Sequence, residues 1–202
     1  MGYGLLLIGY FMASILPVIS FLSVAMPIGY ALMAVALWRL APYEKKFLFS
    51  LVAAIVTLPV AVYYAVYGLL QLGGGTEGLF APAVFAVINW IYFALSLAFT
   101  ALLLWAQASF ARESGLFSLQ SNAWRNLTFV GLYHLLYLAV SILGACGVPH
   151  TSAFVIPMTM LRYLCVFLNL WLFWACYRDI LPEGSEQTLP VAAPSPEGKE
   201  MK

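Results

Sequence analysis

Charge is scarce in this chain: Asp, Glu, Lys and Arg make up 8% of its 202 residues, against about 25% in soluble domains. Hydrophobic residues make up 64%. A water-soluble fold of this size has too little interior to hide that much apolar surface, so lipid is the solvent that fits. The net charge is +1, which provides no electrostatic basis for a nucleic-acid partner.

Cysteine and histidine are equally sparse. Cys146, Cys165 and Cys176 form no paired spacing, and each lies in or beside an apolar run. They read as small buried hydrophobes rather than as disulfide or metal partners. With His134 and His150 as the only histidines, no metalloprotease pair can form. Neither a nucleophile-elbow motif nor a phosphate-binding loop is present. Gly73, Gly74 and Gly75 are followed by no lysine. An enzyme is therefore not expected, and no cofactor or metal is implied.

What the sequence does hold is apolar stretches, near residues 4–38, 47–72, 81–108, 127–148 and 153–177. Each of the last four contains the roughly 20 apolar residues that one bilayer crossing needs. The first is longer, and as a single helix it would extend more than about 50 Å. The expected fold is an all-α, polytopic transmembrane helical bundle in one domain, residues 1–180, with short loops. Five crossings are preferred, near 19–39, 48–72, 81–108, 126–148 and 153–177, the first bent at Pro27. Residues 1–16 would then be re-entrant, interfacial or packed on the bundle; six crossings are the alternative. The inner connection over residues 112–125 is expected to rest on the membrane surface. Residues 181–202, rich in Pro and Glu, are expected to form a disordered tail.

Orientation follows from the basic residues. Arg39, Lys45 and Lys46 fall in the first connection, Arg112 and Arg125 in the third, and Arg178 at the start of the tail. Residues 73–80 and 149–152 carry no Lys or Arg. Basic loops stay in the cytoplasm, so the expectation is a multi-pass protein of the cell membrane with a cytoplasmic C-terminus.

Polar side chains within the spans are the candidates for chemistry, because hydrocarbon penalises them. Helical rise places Arg162 about 13 Å below the outer start of the last span and Asn89 about 12 Å down the third. His134 lies at a similar depth in the fourth. At about 100° per residue, Asn89, Ser96, Thr100 and Gln107 share one face. Arg162, Cys165 and Asn169 share another, as do His134 and Ser141, with Tyr137 at the margin. Thr57, Tyr64, Gly68 and Gln71 form a fourth stripe. Arg162, His134, Asn89, Ser96, Asn169 and Tyr137 are thus the candidate interior or ligand contacts. Such stripes also arise where helices merely pack, and Ala53, Thr57, Ala61 and Ala65 form a packing ridge.

Arg162 stands apart. It stays protonated, and no interior Asp or Glu is available to pair with it. Its expected partners are tyrosine hydroxyls, Asn89, backbone carbonyls, a neighbouring protein's carboxylate or a bound anion. The same lack of carboxylates argues against a self-contained proton-driven pump. Two functions follow as expectations. The first is an accessory or structural subunit of a membrane assembly, acting through a membrane-protein partner or oligomer. The alternative is a subunit that binds or transports a polar or anionic small molecule around Arg162.

Overall fold

A computed structural model describes residues 2–18, 23–72, 82–147 and 151–180. Their regular structure is entirely helical: α1 (Gly2–Ser14), α2 (Ala25–Leu40), α3 (Phe47–Leu72), α4 (Pro82–Glu113), α5 (Phe117–Ala145) and α6 (Val155–Asp179). Short 3₁₀ turns precede α2 at Leu16–Val18 and α6 at Thr151–Phe154. Four of the elements, beginning with α3, are long and apolar enough to cross a membrane; α1 and α2 are shorter apolar helices.

Local chemistry explains both ends of α4. Pro82 opens α4 at a position where its missing N–H has no intrahelical partner to lose. Gly115 closes the same helix in the left-handed region, φ 72°. The backbone N–H of Leu116 donates to the Ala111 carbonyl at 2.8 Å and that of Gly115 to Arg112 at 3.1 Å, satisfying two terminal carbonyls. As a result α5 starts at Phe117, and most of the connection expected over residues 112–125 is helix instead of a surface loop.

The long first stretch divides into α1 and α2, which pack antiparallel. Gly2 faces Leu40, and Gly9 lies against Gly29 and Met33. Pro27 falls in the first turn of α2, where it starts the helix rather than bending it. Part of the segment separating the two helices, residues 19–22, lies outside the described residues, as do 73–81, 148–150 and the expected tail, 181–202.

The six helices close a ring in chain order. Each packs against the next, and α1 returns to pack on α6. The outside of the ring is apolar, with Phe49, Val52, Ile55 and Val56 of α3 all exposed, while Ser50 and Thr57 of that helix are buried. Gln107, Asn126 and Asn169 are also buried. Polar residues within and apolar residues without is the arrangement that hydrocarbon selects.

Along its axis the ring has two unlike halves. One contains the basic residues Arg39, Lys46, Arg112, Arg125 and Arg178 and is filled by Leu37, Phe47, Leu103, Leu104 and Phe173. Here Lys46 Nζ donates to Ser109 Oγ at 2.7 Å and lies 5.1 Å from the centre of the Trp105 ring. Within this half Asn126 Nδ2 donates to the Leu168 carbonyl at 2.8 Å, and Gln107 donates to the Cys176 sulfur. The opposite half is hollow.

Candidate functional site

The hollow half contains a cavity of about 500 Å³ lined by side chains from all six helices, a volume within the range of small-molecule sites. Helix α1 contributes Tyr10, and α2 contributes Tyr30 and Met33. Helix α3 turns Tyr64, Gly68 and Gln71 inward, one helical stripe at spacings of four and three. Helix α4 adds Asn89, Tyr92, Phe93, Ser96 and Thr100. From α5 come Tyr133, His134 and Tyr137, and from α6 Arg162 and Cys165.

Five of the six sequence-predicted residues therefore meet in one space: Arg162, His134, Asn89, Ser96 and Tyr137. Asn169 does not line it. It sits one step toward the packed half, where its Nδ2 donates to the Tyr10 hydroxyl at 2.9 Å. That bond ties α6 to α1 beside an edge-on contact between the Tyr10 and Phe173 rings, whose centres are 5.2 Å apart.

The polar groups differ in how well they are satisfied. The Tyr64 hydroxyl bonds to Asn89 Oδ1, joining α3 to α4. Ser96 Oγ donates to the Phe93 carbonyl at 3.0 Å, within its own helix. His134 is buried, and its Nδ1 lies 2.8 Å from the Val130 carbonyl. That contact makes Nδ1 the protonated nitrogen and leaves Nε2 as an acceptor in the neutral ring. Arg162 has neither a hydrogen bond nor an ion pair among the described residues; their ion pair, Arg178 with Asp179, lies at the far end of α6. Its side chain is exposed to the cavity, whose lining includes no Asp or Glu. The groups that feel its charge are Tyr30, Tyr133 and His134.

Aromatic rings make up most of the remaining wall. Tyr64 meets Phe85 and Tyr92 edge-on, and Phe93 stacks on Tyr137 at 5.2 Å and 28°. His134 lies 4.8 Å from the Phe93 ring and 5.0 Å from that of Tyr133. Among the described residues the site is thus an aromatic box with one permanently charged cation and a few neutral hydrogen-bonding groups. It can bind an anion and shield its apolar portion.

Sequence reasoning named Tyr64 and Tyr137 but missed the inward roles of Tyr10, Tyr30 and Tyr92. Tyr92 lies three positions beyond Asn89, so the helical period could have included it. Tyr10 and Tyr30 had no comparable signal, because the antiparallel pairing of α1 and α2 has no turn motif in the sequence. Among the described residues no cluster of His, Cys, Asp and Glu could hold a metal ion. Comparison with protein-family models, with curated proteins and with solved structures finds no match to this chain.

Proposed function

We propose that this protein is a non-catalytic small-molecule receptor or carrier of the membrane, whose ligand occupies the six-helix cavity with an anionic group on Arg162. One observation carries the reading: among the described residues, the only charged side chain lining the cavity is a guanidinium without a counter-ion. An arginine near mid-membrane costs about 2.5–3.5 kcal/mol on insertion scales, and it stays charged. Nothing in the cavity wall offsets that cost, whereas a carboxylate or similar anion would, through a two-pronged hydrogen bond.

In this reading the basic half of the ring faces the cytoplasm, in accord with the placement of Arg and Lys. All six helices then cross or nearly cross the cell membrane, the C-terminus is cytoplasmic, and the cavity opens toward the outer half. With no nucleotide motif in the chain, net transport would draw its energy from a gradient or a partner.

The test is ligand-dependent thermal stabilisation of the purified protein in detergent or nanodiscs, using panels of anionic, neutral and cationic small molecules. Anions alone are expected to raise the midpoint, and Arg162→Gln is expected to abolish that rise. A panel in which neutral or cationic compounds stabilise both forms equally would remove the basis of this assignment.

A second reading, an accessory subunit of a membrane assembly, is favoured by the exposed apolar face of α6, which carries Ile156, Met160, Phe167 and Trp171. Recovery of a stoichiometric membrane partner after gentle extraction, lost on substitution of Phe167 and Trp171 by serine, would support it.

A further inference from the structure

The hollow half of the ring is unevenly closed. Buried residues continue along α1 to Ala13 and along α3 to Gly68. In α4, by contrast, no residue before Phe99 is buried, in α5 none after His134, and in α6 none before Cys165. Residues 135–139 of α5 are all exposed. Five consecutive residues cover more than one helical turn, so α5 is only partly covered on every face there, with Tyr137 keeping its contact with Phe93. Between α4 and α5 lies a second hollow of about 180 Å³, lined by Ala86, Asn89, Trp90, Phe93 and Tyr137. Asn89, Phe93 and Tyr137 line the main cavity as well, while Ala86 and Trp90 are exposed on the outer surface of α4. The side hollow therefore shares a wall with the cavity and reaches the exposed apolar surface of α4.

From this we infer that the ligand is a membrane-dissolved monocarboxylate with a bulky apolar body, which enters laterally between α4 and α5. The inference rests on the cavity reading above and adds the ligand's class and its route. One negative charge matches the one cation. A dianion such as a phosphomonoester would retain uncompensated charge at low dielectric, and the wall offers it no second cation. The aromatic wall suits an apolar body, and the side hollow is lined by Ala86, three aromatic rings and Asn89, whose Oδ1 is already held by the Tyr64 hydroxyl, so it can accept a chain beside those rings. A ligand already dissolved in the bilayer reaches this opening without crossing a headgroup layer.

The experiment uses the full chain in nanodiscs with a long-chain fatty acid carrying a photoreactive diazirine at mid-chain, followed by irradiation and peptide mapping. Benzoate serves as a water-soluble carboxylate competitor. The expected result is about one label per protein, concentrated on residues 86–93 and 133–141. Arg162→Gln should lower labelling about tenfold, with partial recovery in Arg162→Lys. Ala86→Trp, which fills the side hollow, should slow labelling at least about fivefold while leaving benzoate affinity unchanged. Unfolding midpoints of each variant identify any that fail to fold, and a shorter plug, Ala86→Leu, then replaces tryptophan.

Label spread over the lipid-facing surface and insensitive to Arg162→Gln overturns the inference. If benzoate binds in an Arg162-dependent manner and the plugged variants label at the normal rate, lateral entry is wrong while the cavity reading survives. If neither carboxylate binds, and the anion panel gives no stabilisation, both fall together.

Discussion

The two halves of the ring are built from the same helices and the same alphabet, yet they resolve their polar groups in opposite ways. In the packed half several interior polar side chains are held between helices: Asn126 on the Leu168 carbonyl, Gln107 through its amide nitrogen on Cys176, Lys46 on Ser109, while the Ser50 hydroxyl is buried without a partner. In the hollow half Arg162 has no such partner among the described residues, and it lines the open cavity. The first arrangement locks neighbours in place, as interhelical hydrogen bonds do in lipid. The second leaves its most costly group unsettled, which is how binding sites commonly differ from scaffolds.

The comparison is broken most severely by attacking the scaffold. A Cβ added at Gly29 would sit 2.6 Å from both the Ala13 backbone nitrogen and the Gly9 carbonyl oxygen. Neither is a flexible side-chain tip, so Gly29→Val is expected to separate α1 from α2 and cost about 3 kcal/mol, read as a lower unfolding midpoint in nanodiscs. Next, Arg162→Leu should move stability the other way. The empty protein gains about 2 kcal/mol by losing an unpaired cation while anion binding disappears; a destabilised variant would show that Arg162 belongs to the scaffold. Asn126→Ala removes one interhelical bond and is expected to cost about 1 kcal/mol without altering ligand-induced stabilisation. Smallest of all, Leu136→Ala on the exposed part of α5 should change stability by less than about 0.5 kcal/mol. A larger loss there would mean that the hollow half is packed against something.

How much of this could be read from residues alone depends on the physical signal behind each feature. Helices α3 to α6 were legible because twenty apolar residues in a row have few other fates. The inward stripes were legible because the helical period places Asn89 and Ser96, or Arg162 and Cys165, on common faces. The pairing of α1 with α2 was not, since it depends on two glycines, Gly9 and Gly29, meeting across a segment without turn signals. Nor was the short turn at Gly115: polarity over residues 112–125 resembles a loop, but helix propensity and a left-handed glycine outweighed it. The cavity itself is a property of spacing between helices, and no single-chain periodicity reports that distance. Its tyrosines illustrate the limit, because a buried packing tyrosine and a wall tyrosine look alike in sequence.

Ring closure by the first and last helices has a consequence for how the protein is made. The Tyr10 hydroxyl meets Asn169 only across α1 and α6, so the bond cannot form until translation has delivered α6. Until then a nascent intermediate displays an unpaired amide-seeking hydroxyl and an incomplete aromatic wall to the membrane. Chains truncated before α6 should consequently be recognised and degraded by membrane quality control, and α6 supplied as a separate polypeptide should rescue them.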